Sequence, residues 1–316
     1  MISKHKAATM AVLNYLRKND FCNNPPIRVW VEPTNQCNLK CMSCANMLIK
    51  DKGFMDLNLF KKIIDQLSGY AFEIYLYMSG ESLLHPKIVE MINYAKKKNL
   101  FVNISTNGTT LNNSLSKDIL STKLDKMTLS LDTFDKYNYE SNRLGAKHEE
   151  VINNIIHFLK LKRAHKSKIE VSIRLSELYK KNSRKGKYIE RKLINLGAKI
   201  NTHHTHDWCG KIDLPLKYSK KSYFHCFHSY AGLSIQWNGN VVPCCRDFFG
   251  EYILGNVNQS SIKEIWNNKR SRKLRRMLIH KKYKDVKLCK DCDMLWGKKV
   301  FGFPLKILKS YIKCRE

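Results

Sequence analysis

Arg28-Val-Trp-Val-Glu-Pro33 leads into Cys37-Asn-Leu-Lys-Cys41-Met-Ser-Cys44, and the reading of the fold starts from this stretch. β-Branched and aromatic residues ahead of a loop predict a strand over 28–33, with three cysteines following directly. Thiolates at Cys37, Cys41 and Cys44 can wrap one face of a [4Fe–4S] cubane and leave one iron open to a small molecule. Zinc is the alternative; it needs a fourth nearby ligand and usually shows paired Cys-x-x-Cys spacing. Spacing alone favours iron–sulfur and leaves zinc open.

Working outward, strands are predicted over 74–78, 101–105, 126–131 and 169–175, and more weakly over 199–203. Helices are predicted between them, over 56–67, 86–98, 114–121, 149–162 and 186–196. Leu57, Phe60, Ile63, Ile64 and Leu67 follow the spacing of one helix face. Six strands alternating with helices imply an α/β fold with a parallel sheet, and such sheets place their active site at the carboxyl ends of the strands. The sheet is open or curled toward a barrel and fills a first domain over 28–204, preceded by a helical extension over 1–27. Past about residue 205 the texture changes. Residues 233–243 read as a β-hairpin about Asn238-Gly239, and 261–280 as one very basic helix. A small α+β domain is expected over 205–293 and a basic, apolar tail over 294–316.

The predicted strand ends carry further motifs. Ser79-Gly80-Glu81-Ser82 closes the second strand and Ser105-Thr106-Asn107-Gly108 the third; Ser130-Leu131-Asp132 closes the fourth, with Arg143 beyond it. In this order, over about residues 28–200, the chain resembles the radical S-adenosylmethionine (radical SAM) superfamily, whose signature is a Cys-x3-Cys-x2-Cys loop after the first barrel strand. The resemblance implies a partial (β/α)6 TIM-like barrel and a [4Fe–4S] cluster on Cys37, Cys41 and Cys44 that binds SAM through its open iron. It places Ser79, Gly80 and Glu81 at the SAM amino group, Ser105 and Asn107 near the ribose, Ser130 at the fourth strand end and Arg143 on the carboxylate. Ser43 stands where the family usually has an aromatic residue, and Ser79 where it has glycine. Loop contacts to adenine are mostly main-chain in the family, so Ser43 stays in the expected set.

A second group of cysteines, Cys226, Cys244, Cys289 and Cys292, with Gly239 ahead of Cys244, is similar to the start of the SPASM pattern. It looks like the shortened twitch version, which carries one auxiliary [4Fe–4S] cluster. Cys245 competes with Cys244 for the ligand role, and a zinc knuckle is the alternative for the Cys289–Cys292 pair. Four protein ligands leave no open iron, which suits an electron relay.

The implied chemistry is reductive cleavage of SAM to a 5′-deoxyadenosyl radical and hydrogen abstraction from an unactivated C–H bond. Loss of an electron to the auxiliary cluster gives oxidation (dehydrogenation). Return of hydrogen from a thiol gives epimerisation, with Cys209 and Cys245 as candidates. His206, among His203, His204 and Asp207, is a candidate general base. A small polar or sugar-like substrate is expected, because only 27 residues precede Arg28 and a fused leader-recognition domain needs more. A SPASM-type peptide-modifying maturase is the rival enzyme.

The chain has 316 residues and 11 cysteines, with 57 Lys+Arg against 27 Asp+Glu, a formal charge of +30. That balance of apolar and charged residues excludes a disordered chain, and no run is long and apolar enough to span a membrane. Clustered cysteines without a secretory signal point to metal ligands in a reducing cytoplasm. Between Lys263 and Lys287 eleven Lys/Arg face Glu264 and Asp285. This makes a non-enzymatic metal protein that binds nucleic acid the rival of another class. Spread lysine reads better as a solvated face, and it suits an acidic flavodoxin or ferredoxin reductant or an anionic substrate. The apolar tail residues Phe301, Phe303, Leu305, Ile307, Leu308, Tyr311 and Ile312 fit packing on the barrel better than a peripheral membrane contact.

Overall fold

A computed structural model describes residues 3–179, 183–214, 222–300 and 303–305. Arg28–Val31 (β1), Glu73–Leu76 (β2), Phe101–Thr106 (β3), Lys126–Asp132 (β4), Glu170–Ser176 (β5) and Lys199–His203 (β6) lie side by side in chain order, all parallel. Helices carry the crossovers. In Leu57–Leu67, Asp56 caps the start by accepting from the Asn58 and Leu59 amides, and Phe60, Ile63, Ile64 and Leu67 are buried against the sheet. Each such side chain contributes about 1.5–3 kcal/mol. The six strands form the expected partial barrel.

The opposite edge was not foreseen. Gly232–Ile235 (β7) pairs parallel with β1; Asn240–Val242 (β8) and Gly255–Asn256 (β9) follow antiparallel, so one sheet of nine strands runs across residue 205. Glycine at 232 allows the approach, since a Cβ there would lie 2.6 Å from the Arg28 carbonyl. At the hairpin tip only Gly239 is left-handed, at φ +87°, while the Gln236 amide donates to Asn240 O. The connection is thus a turn followed by a glycine bulge.

The basic segment is two helices, Ile262–Asn267 and Lys269–Ile279, which corrects the single helix expected. Asn268 breaks it: its Oδ1 accepts from the Ser271 amide and its Nδ2 donates to Leu254 O. Arg275 is only 2% exposed. It donates to Ser229 O, Asp20 O and Trp266 O and lies 4.6 Å from the Trp266 ring. Arg272 and Arg276 pair with Asp20. Three cations of the supposed nucleic-acid face are therefore packing and pairing groups.

The N-terminal helix Lys4–Leu16 docks through Tyr15, whose ring stacks on His225 and meets Phe227, Tyr230 and Phe303 edge-on. Among the described residues no helix is long and apolar enough to cross a membrane. Most of the expected tail, including Phe301 and 306–316, lies outside the described residues.

Candidate active site

The cysteine loop is laced to the strand ends around it. Lys40–Cys41 forms a two-residue antiparallel ladder with Arg143–Leu144, extended by Met42 N–H to Asn142 O and Ser43 N–H to Asn142 Oδ1. Gly80 sits where a Cβ would be 2.3 Å from Thr34 O and 2.6 Å from Gln36 O, and the Glu81 amide donates to Gln36 O. Glu81 is 3% exposed; its two carboxylate oxygens accept from the Leu83 and Asn107 amides. Asn107 Nδ2 in turn donates to Asn38 Oδ1, inside the cysteine loop. The loop after β1 is thus fastened to those after β2, β3 and β4.

These loops enclose a cavity of about 270 Å³ at the carboxyl ends of the strands. Cys37, Cys41, Cys44, Ser43, Ser79, Gly80, Glu81, Ser105, Asn107, Ser130, Arg143, His206 and Cys245 all line it, and Cys209 does not. Ser105 and Ser130 face each other at 3.4 Å between their hydroxyls. Arg143, 7% exposed, is no surface ion pair: its Nε donates to Asp132 Oδ2 at 2.9 Å, and Asn142 Nδ2 donates to the same oxygen. Asp132 holds this position in a left-handed conformation, φ +67°, beside a register shift between β4 and β5. A non-glycine residue so placed stores strain that the surrounding bonds must maintain.

Burial pushes all three loop thiols up, Cys41 to about 12 and Cys44 to about 11. Three thiolates in one cavity therefore require a positively charged centre among them. Among the described residues no three His, Cys, Asp or Glu side chains close on a single-ion position. Three thiols of one loop lining one cavity are the donor set a cubane takes, each sulfur on a different iron. His206 is pushed down to about 3, by burial first and then by the Arg246 charge, so it is neutral near pH 7 and a weak base. His203 lines the same cavity and donates from Nδ1 to Leu175 O, whereas His204 pairs outside it with Glu177.

Cys226, Cys244, Cys289 and Cys292 gather with Cys209 in a second, smaller apolar core. All ten described cysteines are free thiols, so this core is a second set of donors of the same chemistry. Arg246 pairs with Asp293 and reaches Cys292 Sγ at 3.9 Å. Cys292 is held down at about 7, chiefly because Cys209 donates to its sulfur, and Arg246 adds to the effect. Cys244 points into this core while its neighbour Cys245 lines the first cavity.

Several residues in and around the cavity had no place in the motif reading. Glu32, 1% exposed at the end of β1, accepts from the Ser79 amide and hydroxyl through Oε1 and from the Trp237 amide through Oε2, joining the barrel to the hairpin. Its signal was a carboxylate in an otherwise apolar strand. Trp208, left-handed at φ +55°, donates from Nε1 to Ser43 O at 2.9 Å and packs on Phe248 with ring centroids 4.1 Å apart. An indole thus stands beside the loop position that lacks an aromatic residue. Tyr77, just past β2, and Arg174, in β5, line the cavity.

Comparison with known proteins agrees with this geometry. The Radical SAM superfamily matches residues 31–173, and the SPASM iron-sulfur cluster-binding domain matches 226–293. A tungsten-containing aldehyde ferredoxin oxidoreductase cofactor-modifying protein of Pyrococcus furiosus is 27% identical over 315 residues, covering 84% of this chain and 87% of its own. An S-adenosyl-L-methionine-dependent 2-deoxy-scyllo-inosamine dehydrogenase of Niallia circulans is 26% identical over 272 residues, covering 83% and 91%. The crystal structure of BtrN in complex with AdoMet and 2-DOIA superposes with a TM-score of 0.58 at 21% identity, covering 84% of this chain and 92% of that one. The chain is an enzyme of the radical SAM superfamily with a C-terminal SPASM-type domain, and its cofactors are SAM, the SAM-binding [4Fe–4S] cluster and an auxiliary cluster.

Proposed function

We propose that this enzyme takes a hydrogen atom from a small polar, sugar-like substrate and leads to its oxidation or epimerisation. The observation that carries the reading is the Cys244-Cys245 step: one thiol belongs to the second cysteine core and the next lines the reaction cavity. The reacting space and the auxiliary site are thus adjacent. When bound, SAM and the two clusters supply the radical chemistry and a one-electron relay.

The chain's own residues do the rest. Cys37, Cys41 and Cys44 would hold the first cluster, and Cys226, Cys244, Cys289 and Cys292 the second. Arg143, fixed through Nε by Asp132, offers its terminal nitrogens to the SAM carboxylate. Glu81 holds the loops in register and, lining the cavity, would accept from the SAM ammonium. Trp208 and Phe248 cover the cavity and exclude water. Neutral His206 accepts a hydrogen bond from a substrate hydroxyl more readily than it removes a proton. The free thiols suit a reducing cytoplasm and the +30 charge an acidic flavodoxin or ferredoxin reductant.

Similarity to the dehydrogenase of Niallia circulans supports oxidation; a thiol, Cys245, in the cavity supports epimerisation. Anaerobic incubation with aminocyclitols and hexoses deuterated at each ring carbon tests the reading. Label should appear in 5′-deoxyadenosine from one carbon. A Cys245→Ala variant that still forms a product two hydrogens lighter indicates oxidation; loss of an equal-mass product with retained label transfer indicates epimerisation. Label transfer from a peptide and from none of these compounds would overturn the substrate class.

A further inference from the structure

Among the described residues, the cavity lining holds one arginine, Arg174, beside the Arg143 assigned to SAM. The cavity's acidic groups are already engaged: Asp132 bonds Arg143, and Glu81 bonds two backbone amides. Arg246, just beyond, is paired with Asp293. Arg174 lies in β5, opposite Ser130 of β4 and Asn201 of β6. Its side chain donates to the Tyr77 hydroxyl, and among the described residues no carboxylate forms an ion pair with it. Tyr77 follows β2, three strands away, so the two side chains meet across the hollow face of the curled sheet.

A half-buried guanidinium with no carboxylate partner among the described residues is free to bind an anion in the cavity that it lines. The planar fork suits a carboxylate or phosphate, whose two oxygens it can bind in parallel. Tyr77, whose oxygen accepts from Arg174, still has its own proton to donate to the same anion. Nearby, the buried Nδ1 of His206 has no protein partner. Burial first and then the Arg174 charge hold His203 down, and burial and then the Arg246 charge hold His206 down, so neither imidazole adds a cation there.

We propose that Arg174 and Tyr77 form the oxyanion-recognising end of the substrate pocket, so that the substrate bears a carboxylate or phosphate besides its hydroxylated reacting carbon. This rests on the small-substrate reading above. The SAM carboxylate would have its own partner in Arg143, which pairs beside Cys41 of the cysteine loop.

The test uses cluster-reconstituted, SAM-loaded enzyme at about 150 mM salt, where exposed lysines are largely screened. Binding of D-glucose, D-glucuronate and D-glucose 6-phosphate is compared by saturation-transfer NMR. At least one anion should bind tenfold or more tightly than glucose, and which one does so separates carboxylate from phosphate. In Arg174→Gln the preference should fall to within twofold, with SAM affinity and substrate-free SAM cleavage within threefold of wild type. Tyr77→Phe, which keeps the ring, should lower the preference by a smaller factor. Equal binding of all three sugars, an anion preference untouched by Arg174→Gln, or loss of SAM binding in that variant would each overturn the assignment. Label transfer from an acidic peptide, with the Arg174-dependent preference intact, would refute the small-substrate reading and leave the anion site standing.

Discussion

Replacing Gly80 by alanine introduces a Cβ 2.3 Å from Thr34 O, 2.6 Å from Gln36 O and 2.7 Å from the Asn35 carbonyl carbon. All three are backbone atoms, so no side chain can rotate away. Ordinary contact starts near 3.4 Å, so the two loops must part by about 1 Å. Residues 34–36 run directly into Cys37, and the Glu81 amide is bonded to Gln36 O. Parting the loops either breaks that bond or shifts the first thiol. Overpacking of this kind costs about 1–3 kcal/mol, and a 1 Å misplacement at a reacting centre lowers rates on the order of 100-fold. The assay is anaerobic reconstitution followed by iron counting and the rate of 5′-deoxyadenosine formation. The variant should retain the auxiliary cluster and lose at least 30-fold in SAM cleavage. Cleavage within threefold of wild type would refute the claim that the two loops are in rigid contact.

Other perturbations follow from the same bonds. Glu32→Ala leaves the Ser79 and Trp237 amides without an acceptor in a buried site and should lower stability by about 3 kcal/mol. Glu32→Gln, whose one carbonyl oxygen still accepts from Ser79 while its NH2 meets the Trp237 amide, should recover only part of it; thermal melts of the loaded enzyme check both, and equal melting of the two variants would count against the latch. His85, 3% exposed, accepts the Lys87 amide on Nδ1 and faces Met55 O with Nε2, an arrangement only the neutral ring can make. Burial holds its pKa below the usual 6.5. The unfolded chain takes up this proton first, so the stability from His85 is full above about pH 6.5 and falls as pH drops below it, by at most about 1.4 kcal/mol per pH unit. His85→Gln should flatten the decline in melting temperature between pH 7 and 5.5, and an unchanged slope would contradict the neutral assignment.

What the sequence made legible was local. Alternating apolar strands and one-faced helices are written within a few residues, as at Phe60, Ile63, Ile64 and Leu67, and three cysteines in one loop need no distant partner. The pairing of Gly232–Ile235 with Arg28–Val31 joins segments some two hundred residues apart and leaves only a glycine as its trace. Asn268 carried a signal that was passed over, because an asparagine within a basic run is an internal cap as well as a surface residue. Arg275 looked like surface charge because nothing local marks the tryptophan and carbonyls that receive it. Tyr77 and Arg174 meet only because the sheet curls, and curvature is a property of the whole barrel. The division of Cys244 from Cys245 turns on the direction of two adjacent side chains, which spacing does not encode.

The most direct measurement is electron paramagnetic resonance of the dithionite-reduced, anaerobically reconstituted enzyme, with and without SAM. Wild type should contain roughly eight irons per chain, and SAM should shift one of two cluster signals. That signal, with 5′-deoxyadenosine formation, should vanish in Cys41→Ala while the other signal persists. A spectrum indifferent to SAM, or continued 5′-deoxyadenosine formation in Cys41→Ala, would contradict a cluster on Cys37, Cys41 and Cys44 that binds SAM.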